Sequence, residues 1–259
     1  MAQRSWRFIP ELVTSGTTQM AIDSWMFNQL IAGQRQPMLR FYRWQPAAIS
    51  LGYHQKRWPP KWHTLFWQHQ PIDLVKRPTG GRAVLHQGDF TYAIAMPMLN
   101  QRRQDAYQCI CNALIAAWQR LGVSLSYGRA GWGYHHQPSC FATATAADLV
   151  TEMGYKLIGS AQLRRDHCLL QQGTMRLWPD PDLHQQVFSS EVDYRQLPAN
   201  IPAEPTNPWL QKLSSTIVEE IEKSLGIAFE TTPLTDAEQH EAYKQYAKQF
   251  KVSVPEVEP

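Results

Sequence analysis

The sequence has 259 residues, a formal net charge of +3 at pH 7 and an isoelectric point near 8.6. This length suffices for one large domain, or for one domain with a small appendage, and the mild charge lacks the clustered Lys/Arg stripe of nucleic-acid binders. No window approaches the roughly 18 apolar residues that span a bilayer, so we expect a cytoplasmic protein with neither nucleic acid nor membrane as partner.

The first predicted elements are a helix and a series of strands. Residues 17–34, TTQMAIDSWMFNQLIAGQ, offer a threonine as N-cap, apolar residues at helical spacing and Gly33 as a stop. Strand-like runs rich in β-branched, aromatic and aliphatic residues lie at 39–44, 47–53, 72–76, 82–86, 91–96, 147–153, 155–163 and 168–175. The runs 147–153 and 155–163 predict a hairpin that turns near Gly154.

A second helix is predicted at residues 105–123, where apolar residues recur at helical spacing and Gly122 stands at the C′ position. Strands and helices in this order do not repeat as βαβ units. The pattern therefore favours an α+β fold with mixed β-sheets flanked by helices.

The composition changes after Leu197. Four prolines within residues 198–208 predict a stiff connector, and two helices follow at 208–226 and 235–250. The second of these opens with the capping-box pattern Thr235-x-x-Glu238. We therefore divide the chain into a main domain, residues 1–197, and a Pro-rich connector with a small helical C-terminal extension, residues 198–259.

The four cysteines, Cys109, Cys111, Cys140 and Cys168, are too few and too irregularly spaced for a disulfide framework, and they lack metal-ligand spacing. Cys109 and Cys111 are most simply helix packing residues. Cys140 follows the loop-like stretch 126–137, SYGRAGWGYHHQ, so we expect it near the surface, either incidental or reactive.

A glycine pair carries the densest chemical signal. In VKRPTGGRAVLHQGDFTYAIAMP, residues 75–97, Gly80 and Gly81 allow backbone N–H groups to approach a ligand, and Arg77 and Arg82 add charge. This combination suits an anionic or strongly polar group, although a simple turn stays open. His86 is close enough to share the same pocket, and a structural histidine is the alternative.

Lys156 begins another polar stretch, because it is followed by the small residues Gly159, Ser160 and Ala161. Its ammonium could neutralise an anion, hydrogen-bond a carbonyl or lower the pKa of a nearby thiol. Taken alone, Lys156 is more simply interpreted as a solvated lysine on a strand.

Three segments in order, KRPTGGRAVLH, SCFA and KLIGSAQ, resemble the biotin/lipoate A/B protein ligase family. Its hallmark motifs are Arg-Arg-x-x-Gly-Gly-x-x-Val-x-His and Lys-x-x-Gly-Ser-Ala-Gln. The resemblance covers residues 5–195 and implies a biotinyl/lipoyl protein ligase-like catalytic domain. The segment RPTGGRAVLHQGDFTYAI, with Cys140-Phe141 sixteen residues before Lys156, is most similar to the cysteine-dependent octanoyltransferases of the lipoate ligase A-like branch. Lys76 and Gln87 depart from the family pattern, which usually has an arginine and an acidic residue there.

The resemblance implies that Cys140 accepts an octanoyl group from octanoyl-acyl carrier protein as a thioester. The group then passes to a lysine of a lipoyl-domain protein, such as the glycine cleavage H protein. Lys156 would hold the acyl carbonyl, and no metal or cofactor is expected, since a thioester needs no ATP. The implied substrate-binding residues are Arg77, Thr79, Gly80, Gly81, Arg82, His86, Gly159, Ser160, Ala161 and Gln162.

Three other functions remain open at this point. The chain could be an ATP-dependent lipoate or octanoate ligase in which Cys140 is incidental. It could transfer acyl groups between two lipoyl-domain proteins, also through a cysteine. It could also be a binder of acylated or lipoylated carrier domains without turnover.

Overall fold

The computed structural model of the protein describes residues 5–98, 103–128, 148–189 and 197–252. Its helices are α1 Gly16–Ile31, α2 Arg103–Arg120, α3 Pro181–Phe188, α4 Asn207–Leu225 and α5 Asp236–Phe250, with a 3₁₀ turn at Pro60–Thr64. Its strands are β1 Ser5–Thr14, β2 Met38–Trp44, β3 Ala48–Leu51, β4 Phe66–Trp67, β5 Gln70–Pro71, β6 Asp73–Lys76, β7 Val84–His86, β8 Asp89–Pro97, β9 Leu125–Tyr127, β10 Asp148–Thr151, β11 Lys156–Arg165, β12 Cys168–Arg176 and β13 Ala228–Thr231.

Eight strands form one mixed sheet in the order β13-β1-β2-β8-β12-β11-β10-β9. Strand β1 runs parallel to both of its neighbours, and the other pairs are antiparallel. A second sheet, β6-β3-β7, lies beside the first, and β4 and β5 form a short ribbon. The predicted α+β class with mixed sheets flanked by helices is confirmed.

Both faces of the main sheet are covered. Along β8, Phe90, Tyr92 and Ile94 belong to the apolar cluster shared with α2 and α4. Ala93 and Ala95 belong to a second cluster, which includes residues of α1 and α5. This is the period-two alternation of a strand, and it places one helix pair on each face.

The eight predicted strands and the hairpin at Gly154 are confirmed, and Gly154 adopts the positive φ of +82° that this turn requires. The predicted threonine cap of α1 is wrong. Ser15 is the N-cap, and its Oγ accepts a hydrogen bond from the N–H of Thr18. Gly33, with a φ of +66°, follows the end of this helix as expected.

Strand β1 was not among the predicted strands. Pro10 lies in its middle, and an internal proline argues against a strand because it removes a ladder hydrogen bond. The pairing of β1 with β2 shifts register between Ile9 and Leu12, which accommodates the proline. Sequence periodicity does not reveal such an irregularity.

The described elements after Leu197 pack closely on the rest of the described residues. Helix α4 packs against α2, α5 packs against α1, and β13 extends the main sheet at β1. The predicted capping box of Thr235 and Glu238 is confirmed. The division of the chain at residue 197 stays a prediction. Of the helices within the described ranges, none is long and apolar enough to cross a membrane.

The attachment of α5 predicts a dependence of stability on pH. Glu238, which is 7% exposed, pairs with Arg7 at 2.8 Å, and this hydrogen-bonded guanidinium lowers the pKa of Glu238 from 4.5 to about 2. A carboxyl with such a depressed pKa stabilises the fold by about 3 kcal/mol at neutral pH. This contribution is complete above pH 4.5 and is lost as the pH falls towards 2.

Urea denaturation at pH 7 and pH 3 measures this effect. The variant Glu238→Gln is expected to be less stable at pH 7 and to lose less stability on acidification than the parental protein. Glu219→Gln is the matched control, because the side chain of Glu219 is half exposed in its ion pair with Arg120. Equal acid sensitivity of Glu238→Gln and the parental protein would contradict the prediction.

Candidate active site

A cavity of about 240 Å³ lies between the main sheet, α1 and the smaller sheet. Its described lining consists of Met20, Tyr42, Trp44, Ser50, Arg77, Thr79, Gly80, Gly81, Val84, His86, Thr91, Asp148, Lys156, Gly159, Ser160, Ala161, Gln162, Gln172 and Thr174. The two motifs that are about 75 residues apart in the sequence therefore meet at one cavity.

Ten of the predicted site residues line this cavity. Residues 77, 79–81 and 86 form one part of the lining, and residues 156 and 159–162 form another. Arg82 is half buried next to the glycine pair, but it does not belong to the lining. Cys140, the predicted nucleophile, lies outside the described residues.

Lys156 reaches the cavity through an irregularity in strand pairing. Leu149 is opposite Ile158, whereas Val150 is opposite Lys156, so Leu157 is an extra residue in β11. Leu157 and Ile158 consequently both contact the cluster beneath α2. Without the extra residue, alternation would place Lys156 on the same apolar face as Ile158.

Asp148 is the ion-pair partner of Lys156. The Nζ of Lys156 lies 2.9 Å from Oδ2 of Asp148, and each residue is only 4% exposed. Two opposite charges at this distance attract each other strongly, because little water screens a buried pair. The cavity therefore contains a fixed ammonium group, which can hydrogen-bond a carbonyl oxygen or stabilise a thiolate.

Arg77 holds in place the loop that contains Gly80 and Gly81, here called the glycine loop. Its Nη1 donates to the carbonyl of Ser50 at 2.8 Å, and its Nη2 donates to the carbonyls of Gly80 and Arg82, each at 2.7 Å. The loop also packs tightly on Gly52, where a Cβ atom would lie 1.8 Å from the carbonyl oxygen of Gly81. These contacts give Arg77 a structural task that sequence reasoning did not identify.

Thr79 connects the loop to a buried polar network. Its Oγ1 donates to Oε1 of Gln172 at 2.7 Å, and Nε2 of Gln172 donates to Oδ2 of Asp23 at 2.5 Å. The other carboxylate oxygen of Asp23 lies 2.7 Å from Nε of Arg40, and neither Asp23 nor Arg40 is exposed. An ion pair in the core thus supports the cavity wall.

His86 is buried and has a partner at each ring nitrogen. Nδ1 lies 2.6 Å from Oδ2 of Asp89, and Nε2 lies 2.8 Å from Oγ of Ser50. Burial lowers the pKa of His86, against the opposing effect of Asp89. Trp44 stacks on the imidazole with ring centroids 3.8 Å apart. His86 is therefore a neutral, oriented imidazole at neutral pH.

Gln87, the departure from the family pattern, faces away from this network. Its Oε1 accepts a hydrogen bond from the backbone N–H of Asp180, at the start of α3. Asp89 provides the carboxylate for His86 instead.

The side chains of Ser160 and Gln162 have partners outside the cavity. Ser160 contacts Tyr92, and Gln162 contacts Gln171.

Sequence reasoning missed Ser50, Asp89, Asp148 and Gln172. Each is a common polar residue inside a strand, and no short motif marks it. Asp89 alone had a local signal, because it stands three residues after His86. The others are connected to the motifs only by pairing between strands.

In the part of the chain that the structure describes, no group of three or more histidine, cysteine or acidic side chains is arranged to hold a metal ion. Cys109, Cys111 and Cys168 are free thiols, of which Cys111 and Cys168 are buried. None of these three lines the cavity.

The chain is similar to several known proteins. The octanoyltransferase LipM of Halalkalibacterium halodurans is 30% identical over 266 residues, which cover 95% of each chain. The octanoyltransferase LipM of Carboxydothermus hydrogenoformans is 35% identical over 182 residues, covering 69% of this chain and 67% of the relative. Protein Ta0514 of T. acidophilum, solved with bound lipoic acid, superposes with a TM-score of 0.73 at 17% identity, over 95% of each chain.

The model of the lipoyl protein ligase A/B catalytic domain matches residues 15–222 of this sequence. The matched range includes the glycine loop, the Lys156 strand and all the described lining of the cavity. This chain therefore belongs to the lipoyl protein ligase A/B catalytic domain family.

Proposed function

We propose that this protein is an octanoyltransferase of lipoate biosynthesis. It takes the octanoyl group from octanoyl-acyl carrier protein onto Cys140 and passes it to a lysine of a lipoyl-domain protein. The observation that carries the proposal is the buried Lys156–Asp148 pair at a cavity lined by both family motifs. The similarity to octanoyltransferases over nearly the whole chain supports the choice of acyl group.

The chemistry proceeds in two acyl transfers. In the first, the Cys140 thiolate adds to the donor's thioester carbonyl, and the carrier's thiol leaves with the electron pair of the broken C–S bond. In the second, the acceptor amine adds to the enzyme thioester, an amide forms, and the cysteine sulfur leaves. The donor is already activated, so neither transfer requires ATP.

Lys156 is the electrophilic group of this proposal. Its ammonium, positioned by Asp148, stabilises the negative charge that develops on the acyl oxygen in both transfers. Arg77, Thr79, Gly80, Gly81, Arg82 and His86 shape one side of the binding site, and Gly159, Ser160, Ala161 and Gln162 shape the other. The hydrogen bonds of Arg77 to Ser50 and to the loop support a role in holding the loop.

Intact-protein mass spectrometry after mixing with octanoyl-acyl carrier protein tests the proposal. We expect one octanoyl adduct, mapped by proteolysis to Cys140, that disappears when a lipoyl-domain acceptor is added. The adduct should persist in the matched control Cys109→Ala and be absent from Cys140→Ala. Modification of the acceptor only with free octanoate or lipoate and ATP, with pyrophosphate release, would instead establish a ligase.

A further inference from the structure

Asp89, His86 and Ser50 form a continuous hydrogen-bonded chain beside the cavity. The distances are 2.6 Å from Asp89 to His86 and 2.8 Å from His86 to Ser50. The three residues are at most 3% exposed, and both Ser50 and His86 line the cavity. Thr91 fixes the Asp89 end of this hydrogen-bonded chain, because its hydroxyl donates to the Asp89 carboxylate at 3.2 Å.

The donors and acceptors determine where the protons lie. Arg77 can only donate, and its Nη1 lies 3.1 Å from Oγ of Ser50, so this oxygen accepts from Arg77. The Ser50 hydroxyl proton is then available for Nε2 of His86. At the other end, the Asp89 carboxylate accepts from Nδ1–H. A neutral His86 with its proton on Nδ1 therefore gives both of its ring nitrogens, the Asp89 carboxylate and the Ser50 hydroxyl a hydrogen-bond partner. Its basic Nε2 faces Ser50, which lines the cavity.

Among the described residues, two charged groups act on His86. Asp89 on β8 favours the imidazolium form, and Arg77, just after β6, disfavours it. Burial outweighs Asp89, so the pKa of His86 lies below its usual value. Trp44 of β2 covers one ring face without adding charge.

The proposed second transfer, from the enzyme thioester to the acceptor amine, requires a general base. A thiolate attacks without losing a proton, whereas an amine nitrogen must release one as it becomes an amide nitrogen. The described lining contains five titratable side chains, Tyr42, Arg77, His86, Asp148 and Lys156. Arginine remains charged and cannot accept a proton. Asp148 and Lys156 are engaged with each other in an ion pair. Burial raises the pKa of Tyr42, so its hydroxyl keeps its proton. His86 is the one of these five that is a neutral base at neutral pH.

We propose that the Ser50–His86–Asp89 chain is the general base of the transfer from enzyme to acceptor, an inference that rests on the proposed function. As the amine nitrogen bonds to the acyl carbon, its proton passes to Oγ of Ser50 while the Ser50 proton passes to Nε2 of His86. The C–S bond then breaks, and the sulfur leaves with the electron pair as the Cys140 thiolate. His86 releases the proton through Ser50 to water, and the thiolate of the released carrier protein takes up one proton from water. Asp89 is a positioning residue that fixes the histidine tautomer.

Asp89→Asn tests the proposal while keeping the shape of the side chain. The asparagine amide can donate to Nδ1, which moves the imidazole proton to Nε2 and removes the lone pair that faces Ser50. We expect formation of octanoyl-enzyme from octanoyl-acyl carrier protein at the parental rate. Single-turnover transfer from preformed octanoyl-enzyme to a lipoyl-domain protein should slow about 100-fold or more.

Two further measurements separate a base from a structural role. In the parental protein, the transfer rate should rise with pH through the His86 ionisation, and this rise should be missing in Asp89→Asn. Ser50→Ala, a smaller change that interrupts the same route, should show the same selective loss. Gln87→Ala is the matched control, since Gln87 contacts α3 rather than His86, and it should leave both steps unchanged.

The proposal is overturned if Asp89→Asn and Ser50→Ala slow both steps equally, or if they slow neither. Formation of octanoyl-enzyme serves as the internal check that each variant is folded and binds the donor. If the parental protein itself forms no octanoyl-enzyme, the proposed octanoyltransferase function is wrong. The proposed role of the Ser50–His86–Asp89 chain is then wrong as well, because it rests on that function.

Discussion

Replacing Lys156 with methionine is expected to slow octanoyl transfer about 10² to 10³-fold, the usual loss when one donor to a developing oxyanion is removed. Methionine retains the length of the side chain but has no ammonium to place 2.9 Å from Asp148. The acyl oxygen then loses a positive partner in a largely buried site, where charge interactions are strong. The rate of octanoyl-enzyme formation, followed by mass spectrometry, measures the effect.

A charge-neutral double variant distinguishes lost chemistry from lost stability. Lys156→Met alone deprives the buried Asp148 of its ion-pair partner, which destabilises the local fold. Lys156→Met with Asp148→Asn removes both charges and should recover stability without recovering activity. Lys61→Met is the surface control, because Lys61 is exposed and contacts only the end of α3 among its described hydrogen bonds. Recovery of transfer in the double variant would show that the ammonium is not required.

Arg40→Met is expected to lower the free energy of unfolding by about 3–5 kcal/mol, the cost of breaking a buried ion pair by removing one partner. Arg40 and Asp23 are both completely buried, and Arg40 also donates to the side chain of Gln19 at 2.7 Å. Asp23 accepts from Gln172, which in turn accepts from Thr79 in the glycine loop. Weaker donor binding should therefore accompany the lost stability.

Urea denaturation measures the first effect, and the neighbouring arginine provides the comparison. Arg43 lies on the same strand and pairs with Glu11 where both side chains are partly exposed, so Arg43→Met should cost less than about 1 kcal/mol. Arg40→Met with Asp23→Asn should recover part of the loss, because the remaining asparagine is uncharged. Equal stabilities of Arg40→Met and Arg43→Met would contradict the expected burial of the pair.

Local patterns in the sequence were sufficient to predict most of the fold. Turn glycines, caps and apolar periodicity are encoded by residues within a few positions of each other, so helices α1, α2, α4 and α5 and eight strands were predictable. Strand β1 was not, because Pro10 interrupts its pattern and only pairing with β2 and β13 on either side stabilises it.

The sequence alone also sufficed to identify the family and the order of its motifs, since Gly80-Gly81, His86 and Lys156 stand at recognisable spacings. It did not determine which face of the sheet Lys156 occupies, because the extra residue in β11 exists only relative to β10. Nor did it connect Ser50 to His86 or Gln172 to Asp23, which lie 36 and 149 residues apart. Those contacts depend on the register between strands and on packing across the sheet, and a linear sequence contains neither until the chain has folded.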